Sequence, residues 1–120
     1  MIQHIVLFKP RPEATRDQLE AFITAFERAC REIPGVARAI VGKDAELGVD
    51  YAGEFADQRY KYSAVIEFTD RAALFTYLQH PLHVALGRLF WQSCESTVIL
   101  DAETIDVTRE SLAQFVGGGL

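Results

Sequence analysis

The sequence has no run of basic residues, no long apolar segment and few cysteines. Its twelve Lys and Arg residues are scattered among seventeen acidic residues, which gives a net charge of −5. Nucleic acids and anionic membranes are bound by clustered basic side chains, so the composition argues against both partners. No segment has the apolar length that spans a bilayer, and residues 1–9 lack the basic flank and cleavage site of a signal peptide. We predict a cytoplasmic protein.

The cysteines and histidines form neither a disulfide framework nor a recognisable metal site. Cys30 and Cys94 lie far apart and lack metal-ligand spacing, which favours two buried reduced thiols. A nucleophilic pair of Cys94 with His83 is the less favoured alternative, since the residues before Cys94 offer no activating context. The three histidines have no patterned carboxylate nearby. We therefore predict no metal and no cofactor; a metal site would require His4, His80 and His83 to converge in space.

The alternation of apolar and polar residues predicts one α+β domain. The chain has 120 residues, 49% of them hydrophobic, which is enough for a single core. Apolar β-branched runs and period-two patterns indicate strands, and apolar residues at helical spacing indicate helices. The predicted elements are strands at 2–9, 36–43, 62–69 and 96–102 and helices at 16–32, 71–79 and 81–94. This β-α-β-β-α-α-β order predicts a ferredoxin-like fold, in which a four-stranded antiparallel sheet carries helices on one face.

Two segments lie outside this pattern. Residues 44–60 are acidic and punctuated by Gly48 and Gly53, which predicts a solvated loop or flap. Residues 104–120 form a C-terminal extension beyond a domain at 1–103, and one or two helical turns are predicted at 110–116. Both segments could reshape or close the mouth of a cavity in the domain.

Both faces of the predicted sheet are apolar. In the first strand, Ile2, Val6 and Phe8 alternate with Ile5 and Leu7. Helices can cover only one face, and the other face is too apolar to remain in water. The C-terminal extension is too short and too weakly patterned to cover that face alone. We therefore predict a homodimer in which two sheets pack face to face, with the acidic segment or the extension reaching the neighbour.

The segment Tyr77–His83, with the sequence YLQHPLH, interrupts a helical pattern. Pro81 disfavours the α conformation at His80 and suits the first position of a new helix. One helix should therefore end near Gln79 and another should begin at Pro81, with His80 shaping the turn. His83 then takes the third position of the new helix, where the positive end of the helix dipole disfavours an imidazolium. The pattern predicts a neutral histidine that can act as a base.

Tyr77 and His83 together suit an intramolecular aldol reaction. That reaction needs a base to remove a proton next to a carbonyl and a donor for the developing oxyanion. We predict His83 as the base and Tyr77, whose phenol stays protonated, as the donor. An apolar wall around them would suit a small aromatic or polyketide-like ligand. The predicted wall comprises Val6, Phe8, Leu78, Leu86, Phe90 and Trp91.

A purely structural interpretation gives the same residues no chemistry. Tyr77 would then be a core aromatic with its hydroxyl satisfied at the surface, and His83 would cap its helix through the ring. His80 is predicted to be structural under both interpretations. His4, alone on an apolar strand, is typical of a hydrogen-bonded core histidine.

Four short motifs occur together in this chain: His4–Lys9 (HIVLFK), Ile33–Val36 (IPGV), Glu67–Phe68, and Tyr77–His83 followed by Val84. In combination they resemble the Dabb family, the stress-responsive dimeric α/β-barrel domains. The resemblance covers residues 1–103 and implies a dimeric α/β barrel. The chain is similar in particular to a plant polyketide cyclase of that family, whose catalytic tyrosine and histidine match Tyr77 and His83. The resemblance also implies that His4 lies in the ligand pocket.

Three functions are open under this resemblance. The favoured one is a cofactor-independent, cyclase-like enzyme that acts on an aromatic or β-keto substrate. The second is a stress-response protein that binds a small ligand without transforming it, and the third and weaker one is a cofactor-free monooxygenase. The 44–60 segment looks longer than in the plant cyclase, and the C-terminal extension is additional. The substrate of that enzyme therefore cannot be assigned to this chain.

Overall fold

In the computed structural model, which describes residues 1–49 and 60–117, the chain forms one antiparallel sheet with helices on one face. The elements are β1 Ile2–Pro10, α1 Arg16–Glu32, β2 Val36–Lys43, β3 Tyr62–Phe68, α2 Arg71–Gln79, α3 Pro81–Ser93, β4 Cys94–Glu103 and α4 Leu112–Val116. The sheet order is β2-β3-β1-β4, and every adjacent pair is antiparallel. The predicted ferredoxin-like α+β fold is confirmed. Most of the predicted acidic loop, residues 50–59, lies outside the described residues, as do residues 118–120 of the extension. None of the helices in the described ranges is long and apolar enough to cross a membrane.

Strand β1, one of the two inner strands of the sheet, positions several of the side chains that face the helices. Its residues alternate in burial, so that Ile2, His4 and Val6 are buried while the residues between them are more exposed. His4 pairs with Ile66 of β3 on one side and with Asp101 of β4 on the other. One buried polar residue on β1 therefore faces the helices at the middle of the sheet, beside a carboxylate from the next strand.

An aromatic cluster joins the helices to the inner face of the sheet, meaning the face covered by helices. Phe8 of β1, Phe22 of α1 and Phe90 of α3 each have ring centroids 5.8 Å from the other two. Aromatic pairs at this distance contribute about 1 kcal/mol beyond the burial of their area. α1 and α3 are thus fixed over β1 at one end of the sheet.

The helix break at His80 and Pro81 is confirmed. His80 has φ −65° and ψ 139°, outside the α region, and Pro81 is the first residue of α3. The imidazole of His80 also caps α3, because the backbone N–H of Leu82 donates to its Nδ1 at 3.1 Å. The turn therefore holds two helices at a fixed junction, and His80 satisfies one of the unpaired donors that every helix start leaves.

The predicted element boundaries are largely confirmed, and the largest differences fall at the start of β4 and at the start of α4. α1 has its predicted limits, because a capping box between Thr15 and Gln18 defines its start. β4 begins at Cys94 instead of Ser96, since Cys94 already has extended dihedral angles. The last helix begins at Leu112, because Ser111 is its N-cap and the Ser111 hydroxyl accepts a hydrogen bond from the backbone N–H of Gln114.

The outer face of the sheet, which no helix in the described ranges covers, is apolar as the sequence indicated. Leu7 (36% exposed), Ile40 (43%) and Leu100 (57%) lie on it, together with Val65 and Val98. The strand register places them next to one another, because Leu7 pairs with Val98 and Val65 pairs with Ile40. A contiguous apolar surface of this kind marks an interaction site in soluble proteins.

We predict that Gly35→Ala destabilises the fold. Gly35 has φ +94°, and a Cβ at this position would lie 3.2 Å from the Cβ of Ala73. The left-handed conformation costs an alanine about 1 kcal/mol or more, so the urea midpoint should fall. Gly87→Ala is the matched control, because Gly87 lies within α3 with nothing within 4 Å of the added Cβ. That variant should gain up to about 1 kcal/mol from helix propensity; equal midpoints for the two variants would contradict the prediction.

Candidate active site

A cavity of about 280 Å³ lies between the helices and the inner face of the sheet. Its wall is mostly apolar and comes from the three strands β1, β3 and β4 and from helices α1, α2 and α3. Three wall residues are about half exposed: Trp91 of α3 at 59%, Ile99 of β4 at 46%, and Asp101 of β4 with 45% of its side chain exposed. These exposures place the mouth of the cavity between α3 and the edge strand β4.

Every residue that the sequence predicted for catalysis or ligand contact lies in this wall. They are His83, Tyr77, His4, Val6, Phe8, Leu78, Leu86, Phe90 and Trp91. The structure thus brings them together around one space, and their functional roles remain predictions. His80 is not among the wall residues, so the three histidines do not converge.

Sequence reasoning missed Asp101, which is the fourth polar side chain in the wall. The other wall residues that it did not single out are apolar or glycine and follow from packing: Phe22, Phe26, Ala64, Ile66, Gly87 and Ile99. Asp101 pairs with His4 across the β1–β4 ladder, and the two side chains meet at 2.5 Å between Nδ1 and Oδ1. An acidic residue that directly follows the apolar run TVIL was the available signal, but only the strand register shows that it faces His4.

Tyr77 is the most enclosed of the polar wall residues. It lies near the end of α2 with 1% of its surface exposed, and its ring packs against Phe68 at 5.1 Å between centroids. Burial, and secondarily the nearby Cys30 thiol, raises the pKa of the phenol well above its usual range. Tyr77 is therefore a neutral hydroxyl near neutral pH and can donate a hydrogen bond into the cavity.

His83 faces Tyr77 across the helix junction, with 4.7 Å between the ring centroids. Its Nδ1 lies 3.1 Å from the carbonyl oxygen of Leu78, in the last turns of α2. The ring does not cap α3, in contrast to the structural alternative, because His80 takes that role. Burial and the neighbouring His4 lower the pKa of His83, while the Leu78 carbonyl and Asp101 oppose this effect. The lowered pKa favours the neutral imidazole near neutral pH, in agreement with the prediction from the sequence, but its causes are burial and His4 and not the helix dipole.

His4 completes the polar group at the sheet side of the cavity. It is 7% exposed, and its ring centroid lies 6.0 Å from that of Tyr77 and 6.3 Å from that of His83. The bond to Asp101 gives it the hydrogen-bonded partner expected of a buried histidine. His4 is thus both a satisfied core residue and part of the cavity wall.

The cysteines lie outside the cavity wall. Cys94 is buried at the start of β4, and burial raises the pKa of its thiol to about 11. Burial likewise raises the pKa of Cys30 to about 11. Both thiols are therefore protonated near neutral pH and unsuited to act as nucleophiles, which argues against a pair of Cys94 with His83. Within residues 1–49 and 60–117, no three His, Cys, Asp or Glu side chains are grouped to hold a metal ion.

We predict that His83 makes the fold less stable in acid. An unfolded histidine binds a proton near pH 6.5, but the folded pKa is lower, so the unfolded state binds more protons just below that pH. The free energy of unfolding should therefore decrease as the pH falls below 6.5, and His83→Gln, which does not titrate, should lose part of that decrease. Urea unfolding of both proteins at several pH values measures the difference; identical pH dependence would contradict the prediction.

The comparisons with known proteins agree with the fold and extend over most of the chain. Residues 2–104 match the family of the stress responsive A/B barrel domain, Dabb. Olivetolic acid cyclase from Cannabis sativa is 24% identical over 100 residues, which cover 83% of this chain and 93% of the cyclase. The structure of a hydroxynitrile lyase from Passiflora edulis has a TM-score of 0.71 at 19% identity, covering 88% of this chain and 96% of the lyase.

A bacterial structure gives a similar match. A dimeric ferredoxin-like protein of unknown function from Jannaschia sp. CCS1 has a TM-score of 0.68 at 26% identity, covering 86% of this chain and 98% of that protein. Its ferredoxin-like fold and this TM-score agree with the fold described above. With the match over residues 2–104, these observations show that the chain belongs to the Dabb family.

Proposed function

We propose that the chain is a cofactor-independent enzyme that forms or breaks a carbon–carbon bond next to a carbonyl, in a cyclase-like or lyase-like reaction. The observation that carries this proposal is the pairing of His83 and Tyr77. A neutral imidazole and a neutral phenol lie 4.7 Å apart between ring centroids, in the wall of one apolar cavity. Such a pair supplies a base and a hydrogen-bond donor without any metal or organic cofactor.

The aldol step can be written with these two side chains. His83 takes a proton from the carbon next to one carbonyl of the substrate, and the resulting carbanion attacks a second carbonyl carbon. The second carbonyl oxygen gains negative charge as the new carbon–carbon bond forms, and the Tyr77 hydroxyl donates to it. The imidazolium of His83 then returns its proton to that oxygen. Burial strengthens both interactions, because little water competes for them.

The cavity supports a small substrate with aromatic or β-keto character. Its volume of about 280 Å³ is near the lower end of the range for small-molecule sites. The wall is apolar except where His4, Tyr77, His83 and Asp101 meet. A compact apolar molecule with a few oxygen atoms on one side fits this distribution.

The names of two similar proteins support catalysis more than any particular substrate. One is a cyclase and the other is a hydroxynitrile lyase, so members of this fold carry at least two activities. The alternative for this chain is a small-ligand-binding protein of the stress response that does not transform its ligand. A cofactor-free monooxygenase is the weaker third possibility. The cytoplasmic location stays a prediction from the sequence.

We further propose that two copies assemble through the outer faces of their sheets into an α/β barrel. The exposed side chains Leu7, Ile40 and Leu100 support this assembly, because burying them removes apolar surface from water. The Jannaschia neighbour is described as dimeric, which agrees with it. In this proposal residues 1–103 form the barrel domain, and residues 104–120 are an extension that can reach the partner.

We predict that His83→Gln and Tyr77→Phe lose turnover. A glutamine amide in place of the His83 ring can still donate to the Leu78 carbonyl but cannot act as a base, so kcat should fall about 10²-fold or more. Removal of the Tyr77 hydroxyl should also lower kcat about 10²-fold, because the oxyanion loses its donor. Turnover is measured by mass spectrometry on a panel of linear β-keto thioesters and aromatic hydroxynitriles.

The matched control is His80→Asn. Asparagine is a good helix N-cap, and His80 lies outside the cavity wall, so this variant should fold and keep turnover. Retained turnover in a folded His83→Gln protein would refute the catalytic role. Ligand binding without turnover by the wild type would instead favour the small-ligand-binding alternative.

We predict that Leu100→Lys weakens dimerisation. Wild-type protein should show about twice the 13.4 kDa chain mass in size-exclusion chromatography with light scattering. A charge at Leu100 would be buried unpaired between the two sheets and should raise the dissociation constant about tenfold or more. Ile23→Lys is the control, because Ile23 is similarly exposed (55% against 57%) but lies on α1. A wild-type monomer, or equal effects of the two substitutions, would contradict the sheet-to-sheet dimer.

A further inference from the structure

The two histidines in the cavity wall use the same ring nitrogen for their hydrogen bonds. Nδ1 of His83 lies 3.1 Å from the Leu78 carbonyl oxygen, and Nδ1 of His4 lies 2.5 Å from a carboxylate oxygen of Asp101. A carbonyl oxygen and an ionised carboxylate can only accept hydrogen bonds. Each Nδ1 must therefore carry the proton, since otherwise two acceptors would face each other.

This assignment fixes the second nitrogen of each ring. In its neutral state an imidazole has one protonated and one unprotonated nitrogen, so in the neutral rings of His4 and His83 the atom Nε2 is an acceptor. Among the described residues, the hydrogen bonds of both rings involve Nδ1 alone. Both rings lie in the cavity wall, with their centroids 6.3 Å apart and their planes at 75°. The Nε2 atoms are therefore free to bind a ligand.

Asp101 is the residue that sets this state at His4. His83 is fixed by a backbone carbonyl, which any sequence would supply at Leu78, but His4 depends on a side chain from the neighbouring strand. The β1–β4 register holds that carboxylate directly opposite His4. Without it, the proton of His4 could move to Nε2, and the acceptor facing the ligand would become a donor.

We propose that Asp101 is a positioning residue that holds the neutral ring of His4 in the tautomer with its proton on Nδ1, so that the cavity takes ligands bringing two hydroxyl donors. His4 and His83 accept these two hydroxyls, and Tyr77 donates to a carbonyl or other acceptor on the same ligand. The ligand class is a small phenol or enol with two O–H groups and an apolar body. This ligand class rests on the proposed use of the cavity as the binding site but not on turnover.

His80 provides an internal standard for the tautomers. Its Nδ1 accepts from the backbone N–H of Leu82, so this ring must carry its proton on Nε2. The structure therefore assigns opposite tautomers to His80 and to the two cavity histidines. The same protein therefore provides a reference for each of the two tautomers of a neutral histidine.

The tautomers can be measured by long-range ¹H–¹⁵N NMR of the wild-type protein, above neutral pH where histidines are neutral. His4 and His83 should show a protonated Nδ1 and an unprotonated Nε2, and His80 should show the reverse. In Asp101→Leu the His4 signal should change, while those of His83 and His80 stay. In Asp101→Asn the amide oxygen still accepts from Nδ1, so the wild-type pattern should remain. A protonated Nε2 on His4 in the wild type would overturn the role of Asp101.

Binding of matched probes tests the ligand class. The probes are 1,3-dihydroxybenzene, its monomethyl ether and its dimethyl ether, which differ only in the number of hydroxyl donors. NMR titration of wild-type protein should show affinity falling roughly fivefold with each methylation, since each removes one hydrogen bond. In Asp101→Leu, only one of the two methylations should still lower the affinity. In Asp101→Asn, both methylations should lower it, as in the wild type.

Equal or tighter binding of the dimethyl ether to the wild type would overturn the two-donor ligand class. Because these titrations involve no reaction, they separate this result from the catalytic proposal. A two-donor preference without turnover on any substrate would leave the ligand class standing and refute the enzyme. Turnover without a preference for two hydroxyl donors would support the enzyme and refute the ligand class.

Discussion

The junction between α2 and α3 depends on the inability of Pro81 to continue a helix. A proline has no backbone N–H to donate and forces the preceding residue out of the α region, so the chain must turn at His80. The turn brings the end of one helix beside the start of another, and Tyr77 and His83 face each other across it. The Leu78 carbonyl then fixes the ring of His83. The backbone at the junction therefore supplies the geometry on which the cavity chemistry depends.

The sheet supplies the other half of the cavity through the alternation of β1. The same strand that buries Ile2 and Val6 under the helices also buries His4, and this burial must be compensated by a hydrogen bond. Asp101 provides it from β4, where the carboxylate remains half exposed near the cavity mouth. The polar corner of the cavity is thus assembled from two helix ends and two strands, while the rest of the wall is aromatic and aliphatic. Such a division favours ligands that are apolar on one side and oxygenated on the other.

Local signals in the sequence predicted most of the fold. The limits of α1 follow from the capping box at Thr15 and Gln18 and from Pro34 and Gly35, two residues disfavoured within helices that come directly after the C-cap Ile33, because such signals are encoded by neighbouring residues. The start of β4 was placed too late, since Cys94 continues an apolar helical pattern and only its pairing with β1 shows that it is extended. The cavity wall was predicted in part from the same patterns. Asp101 was missed because its partner His4 lies 97 residues away along the chain.

The sequence by itself determined the order of the elements, the helix break and the two apolar faces of the sheet. These features depend on backbone preferences and on residue periodicity, which act over a few neighbouring positions. Only the tertiary structure decided which polar groups meet. Strand register and helix packing place Asp101 against His4 and His83 against the Leu78 carbonyl, and these contacts set which nitrogen of each ring carries the proton. A proton position depends on the partner within hydrogen-bonding distance, and that partner is fixed by the fold, not by the local sequence.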